Sequence, residues 1–125
     1  MICPCGLKKE YNNCCGAIIN GERDAITAEE LMRSRYTAFT LADGNYLLKS
    51  HHSLKRPSTK EKKEIEKWAK SVTWVGLTVI SKKDGQQNDT TGYVEFRAMF
   101  MENGKINDIY ENSFFKRENG KWVYH

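Results

Sequence analysis

Residues 91–124 read TGYVEFRAMFMENGKINDIYENSFFKRENGKWVY, and within them the tetrapeptide ENGK occurs twice, as Glu102–Lys105 and Glu118–Lys121. Asn-Gly between apolar runs of period two is a strong short-range hairpin signal, because both central residues of the tightest favoured turn need positive φ. The spacing predicts strands at Thr91 to Met101, Ile106 to Arg117 and Lys121 to Tyr124, joined as an antiparallel meander. A two-residue turn also sets register. Met101 then faces Ile106, Ala98 faces Ile109, Phe96 faces Glu111 and Val94 faces Ser113; across the second turn Phe115 faces Tyr124 and Arg117 faces Trp122. One face collects Val94, Phe96, Ala98, Phe100, Ile109, Phe115, Trp122 and Tyr124, and is predicted to face the core.

Glu111 and Ser113 fall on that same face. A buried carboxylate without a partner is expensive, so Glu111 requires a counter-charge, a proton or a pocket. The opposite face carries Tyr93, Met99, Met101, Tyr110, Phe114 and Val123 beside Glu95, Arg97, Asp108 and Asn112. So much apolar surface predicts cover by the N-terminal segment, by a helix, or by a second subunit in a homodimer formed through the sheet.

Upstream of the meander a further strand reads from Thr73 to Lys82, and before it the period changes to that of helices. Thr27–Glu30 reads as a capping box, flanked by Ile26 and Leu31 as a hydrophobic staple, and opens a helix running to about Leu41. Its apolar stripe is Leu31, Met32, Tyr36, Ala38 and Phe39, and Arg35 falls on it. Arg35 is therefore the expected partner of Glu111, with Tyr36 and Ser113 as hydrogen-bonding neighbours. Such a pair would serve either a pocket or simply the docking of helix on sheet.

A shorter helix is predicted from Asp43 to about Ser50. After Pro57 a second capping box, Ser58–Glu61, opens a helix burying Ile65, Trp68, Ala69 and Val72. The lysines and glutamates of this last helix neutralise one another and read as a solvated face, with no specific nucleic-acid motif. Helices first and sheet after make the fold class α+β, with about three helices on one face of a curved antiparallel sheet of about four strands.

All four cysteines lie in MICPCGLKKEYNNCCG, residues 1–16, as Cys3, Cys5, Cys14 and Cys15. The spacing, with Pro4 and Gly6 shaping a tight knuckle, suits four thiolates around one metal ion; a disulfide pair, a redox site and an iron–sulfur cluster are the competing readings. The first residues do not read as a secretory leader, so a reducing, cytoplasmic setting is expected, where clustered thiols more often bind metal. About 25 residues cannot build a core alone, and one structural zinc per chain would supply folding energy on the order of 10 kcal/mol or more.

CPCG followed by YNNCC resembles the SEC-C motif, a small zinc-binding module also found at the C-terminus of the SecA translocation motor. LMRSRYTAF, WVGLTV and ENSFFKRENGKWVY resemble the YchJ family of UPF0225 proteins, in which a SEC-C knuckle precedes a nuclear-transport-factor-like, cystatin-like cone domain. The resemblance implies a zinc motif over residues 1–20, a cone domain over 26–125, and Cys3, Cys5, Cys14 and Cys15 as ligands. Some members carry a second knuckle at the C-terminus; the sequence ends at His125 without one, and a bridging role that needs two is not expected. By analogy with the SecA knuckle, Lys8, Lys9 and Tyr11 are expected to contact a protein or ribosomal partner in translation or export, in a non-enzymatic adaptor. The cone of ketosteroid isomerase encloses a pocket, which implies the alternative: a small-molecule binder or enzyme using Arg35, Glu111 and His52. His52 enters because the family pattern carries a histidine after the short helix; His51 beside it reads as a loop residue.

The 125 residues carry a formal charge of +4, which would fall by two if four thiolates held a divalent ion. No apolar run approaches the ~20 residues of a membrane span. Walker, Ser-His-Asp and H-E-x-x-H patterns are all missing from the sequence.

Overall fold

Both ENGK turns have positive φ at their two central residues, 54° and 75° at Asn103 and Gly104 and 53° and 81° at Asn119 and Gly120. The computed structural model, which describes all 125 residues, accordingly pairs Met101 with Ile106, Phe96 with Glu111, Phe115 with Tyr124 and Arg117 with Trp122. Strands β1 (Thr73–Asp84), β2 (Thr91–Glu102), β3 (Lys105–Glu118) and β4 (Lys121–Tyr124) form one antiparallel sheet in sequential order.

Two irregularities were not legible in the sequence. The β1–β2 register shifts between Trp74 and Gly76 and again between Val79 and Ser81, and bulges of this kind bend and twist a strand. The sheet curves around the helices as a result. The free edge of β4 is covered by residues 50–52, with Tyr124 N donating to Ser50 O and His52 N to Tyr124 O, both at 2.8 Å.

Four helices precede the sheet: α1 (Cys15–Ile19), α2 (Ala28–Thr40), α3 (Gly44–Lys49) and α4 (Thr59–Ser71). The capping box opening α4 is complete. That of α2 is half-formed: Thr27 Oγ1 accepts from Glu30 N at 3.1 Å, but the Glu30 carboxylate turns away to Ile26 N and to Arg23. The core between α2, α3 and the sheet is built on Leu31, Met32, Leu47, Val94, Phe115 and Trp122. No helix is long and apolar enough to cross a membrane.

The outer sheet face is not covered by the N-terminal segment or by a helix. Tyr93, Met101 and Tyr110 remain 41%, 39% and 51% exposed, and of the six apolar residues on that face only Val123 is buried. Helix α2 packs on the opposite face, where Leu31 and Met32 meet Val94, Phe115 and Trp122.

Candidate metal centre and binding cavity

The first sixteen residues fold into a knuckle by backbone pairing. Cys3 N donates to Lys9 O at 2.7 Å and Tyr11 N to Met1 O at 2.8 Å, while Gly6 and Lys8, at φ 93° and 61°, reverse the chain between them. A Cβ on Gly16 would stand 2.6 Å from Tyr11 O and 2.7 Å from its ring, so only glycine lets Tyr11 close over the start of α1. The closure brings Cys14 and Cys15 beside Cys3 and Cys5.

All four thiols are buried and free of disulfides, and their sulfurs lie within 4.8 Å of one another. Cys5 Sγ and Cys14 Sγ are 3.6 Å apart, close to the edge of a tetrahedron of thiolates ~2.3 Å from a central ion. The donor set therefore fits a single tetrahedral metal ion. The thiols also perturb one another: Cys15 hydrogen-bonds to Cys5 and draws the Cys5 thiol down to about 5, while the same bond, with burial, pushes Cys15 up. Burial and then the Cys5 hydrogen bond push Cys14 up to about 11. Charge thus collects on one sulfur, and four thiolates can coexist here only around a cation.

Helix α2 holds the knuckle from behind. Thr37 Oγ1, fully buried, lies 3.7 Å from Cys3 Sγ, and Arg33 Nη1 donates to Cys5 O at 2.7 Å. Arg33 is oriented in turn by Glu29 at 2.9 Å, which also binds Lys82 Nζ of β1 at 2.9 Å. The sequence reading missed Arg33 and Thr37. Thr37, a polar residue one turn after Arg33, was the available signal. Lys8 and Lys9 stand exposed on the knuckle, whereas Tyr11 is half-buried against the cysteines.

On its other side α2 borders a cavity of about 360 Å³. Met32, Arg35, Tyr36 and Phe39 of α2, Ile65 and Trp68 of α4, Trp74 of β1, Phe96 of β2, Ile109, Glu111 and Phe115 of β3 and Tyr124 of β4 line it. Trp74 meets Trp68 and Tyr36 edge-on at centroid distances of 5.5 and 5.9 Å, and its Nε1 donates to Ala69 O at 3.2 Å. Sequence periodicity assigned most of these side chains to the core face, and periodicity cannot distinguish a filled core from a lined cavity.

Arg35 and Glu111 share this cavity but do not form the expected ion pair. Tyr124 stands between them. The guanidinium carbon lies 4.7 Å above the Tyr124 ring, and the Tyr124 hydroxyl donates to Glu111 Oε2 at 2.7 Å. Ser113, buried behind the lining, donates to the same oxygen. Arg35 Nη1 instead donates to Leu47 O at 2.8 Å and Ser50 Oγ at 2.7 Å. Burial pulls Arg35 down to about 10, and burial with the Glu111 contact pushes Tyr124 up to about 12, keeping its proton in place. The reason is register: Tyr124 pairs with Phe115, and its ring fills the gap that a direct contact between α2 and β3 would need.

His52 is not in the cavity. Its Nδ1 accepts from Leu54 N at 3.2 Å, its Nε2 lies 3.6 Å from Glu118, and its ring packs on His125. The β4-edge pairing of residues 50–52 turns it away from the cavity, and it is buried instead between Glu118 and His125. His51 is the histidine that approaches the cavity wall, edge-on to Tyr124 at 5.1 Å.

Residues 27–125 match the family model described as the YchJ middle NTF2-like domain. A UPF0225 protein of Geobacter sulfurreducens is 39% identical over 123 residues, covering 98% of this chain and 76% of that protein. The UPF0225 protein YchJ of Shigella dysenteriae is 42% identical over 123 residues, with 98% and 80% covered. Among solved structures, a SEC-C motif containing protein from Rhodopseudomonas palustris superposes with a TM-score of 0.86 at 30% identity, covering 99% of this chain and 94% of that one. A SEC-C motif containing protein from Psychrobacter arcticus gives 0.83 at 28% identity, with 99% and 80% covered.

Proposed function

The chain belongs to the YchJ family of UPF0225 proteins, and from that premise we propose that it is a non-catalytic, cytoplasmic binding protein with a zinc-stapled knuckle and a ligand-binding cone. Cys3, Cys5, Cys14 and Cys15 hold one structural zinc, which ties residues 1–20 to the cone domain of residues 26–125. The cone cavity takes a small molecule. The observation that carries this reading is a cavity of about 360 Å³ with an aromatic wall and a half-buried arginine that no carboxylate neutralises. Its size falls within the ordinary range of small-ligand sites. Binding is favoured over catalysis because Glu111 is engaged by two hydroxyl donors and Tyr124 keeps its proton.

The test is titration with N-phenyl-1-naphthylamine, a neutral fluorescent probe that needs no ionic partner. One saturable site per chain is expected, lost in Ile109→Trp, which fills the cavity from β3 and leaves Arg35 and Glu111 in the sequence. Absence of saturable binding, or binding indifferent to the filled cavity, would refute the reading.

A second role is supported by the knuckle surface, where Lys8 and Lys9 stand beside Ile2 and Leu7, 58% and 39% exposed. This rigid mixed basic and apolar surface suits a protein or ribosomal partner. Cosedimentation with ribosomes should weaken at least ~10-fold in Lys8→Glu, Lys9→Glu, and unchanged cosedimentation removes the lysines from the contact. The exposed Tyr93, Met101 and Tyr110 support homodimerisation through the outer sheet face.

A further inference from the structure

Arg35 has five N–H groups, and the chain uses only those of Nη1, on Leu47 O and Ser50 Oγ at the end of α3. Nε and Nη2 donate to nothing within the protein, and no ion pair involves the residue. Yet no fully buried side-chain nitrogen or oxygen of the protein goes without a partner. The unused nitrogens therefore front accessible space, and the space that Arg35 lines is the cone cavity.

That free edge has a specific shape. Nε–H and Nη2–H point the same way and form the fork that matches the two oxygens of a carboxylate. The fork is held in place before any ligand arrives: Nη1 anchors one edge and the Tyr124 ring supports one face at 4.7 Å. A docking role for Arg35 between α2 and α3 explains the Nη1 bonds and leaves this edge unexplained. A partly desolvated cation facing an apolar cavity is costly, and an anionic group placed there relieves the cost.

We infer that the cone cavity is a site for a small monocarboxylic acid with an aromatic or branched aliphatic body, its carboxylate held bidentately by Nε and Nη2 of Arg35. This rests on the cavity being a binding site, as proposed above. Trp68, Trp74, Phe96 and Ile109 surround the body. Glu111 limits the charge: its carboxylate lies in the same lining, so a second anionic group on the ligand meets repulsion. Dicarboxylates and phosphate dianions are thereby disfavoured. Arg35 acts as the specificity residue for the acid group and Glu111 as the residue excluding a second one.

The experiment is calorimetric titration of the full chain with 3-phenylpropionate and 4-methylpentanoate, each beside its own amide, and with phenylsuccinate as a diacid. At least one acid is expected to bind at least ~10-fold more tightly than its amide, and more tightly than the diacid. Arg35→Gln should level acid and amide, Arg35→Lys should fall between because it keeps charge without the fork, and Glu111→Gln should admit the diacid. The comparison of acid with amide on the unaltered protein decides the matter even if an Arg35 variant does not fold. Equal binding of acid and amide, or binding of the neutral naphthylamine with none of the acids, overturns the carboxylate assignment and leaves the cavity reading standing. Failure of the naphthylamine and of every acid and amide overturns both.

Discussion

Gly92 and Gly85 meet where β1 ends and β2 begins, and a Cβ on Gly92 would lie 2.4 Å from Gly85 Cα. Gly85 itself has φ +76°, and its carbonyl accepts Ala28 N at 2.9 Å, joining the sheet to the first turn of α2. Nothing at this contact is a flexible side chain that could yield. Gly92→Ala should destabilise the protein by about 2 kcal/mol or more in urea unfolding, and a loss within experimental error would mean the strands part freely there. Neither glycine was singled out in the sequence, since one glycine near a turn looks like any other. Tyr124 shows the same limit. Its place on the core face was readable from the hairpin, but its position between Arg35 and Glu111 depends on how far three side chains reach across the space between helix and sheet.

Helix α2 is the element that serves both sites. Arg33 and Thr37 face the knuckle, and Arg35 and Tyr36 face the cavity, so two faces of one helix present different side chains to two structures. Its first turn also carries a pH-sensitive link. Burial would raise Glu29, but the hydrogen bonds from Lys82 and Arg33 outweigh it and hold the carboxyl below 4.5. A carboxylate lowered in the folded state contributes stability that is present above its unfolded pKa and lost as pH falls through the folded one. The stability difference between wild type and Glu29→Gln should therefore be constant near neutrality, under ~1 kcal/mol, and shrink as pH drops below 4.5. Taking the difference separates this effect from protonation of the thiols. A gap that stays constant down to pH 3 would show that Glu29 acts through packing and not charge. The apolar stripe of α2 was legible from its period; the half-formed cap was not, because Arg23 competes for Glu30 from outside the helix.

At the scale of the whole molecule, the knuckle and the cone share a boundary but differ in what holds them. The cone has its own core; the knuckle has four sulfurs, with Ile18 of α1 reaching into the main core beside them. Elemental analysis of protein purified without added metal should find one zinc per chain, and Cys14→Ser, Cys15→Ser should abolish it. Chelation should lower Tm and disorder residues 1–20 while the far-UV spectrum of the sheet persists. Iron in place of zinc would reassign the centre to a cluster, and a Tm indifferent to chelation would mean that packing alone holds the knuckle.

The sequence by itself determined the meander, its register and the thiol cluster, because two-residue turns, alternation and close cysteine spacing are local and leave little freedom. It also placed Arg35, Glu111 and Ser113 on facing surfaces. Only the tertiary structure decided that the arginine and the glutamate stay apart, that His52 is buried away from the cavity, and that the outer sheet face remains open. Those outcomes depend on bulges in β1, on the pairing of residues 50–52 with β4 and on the bulk of one tyrosine. They are contacts between distant parts of the chain, set by packing, and no periodicity within a single segment encodes them.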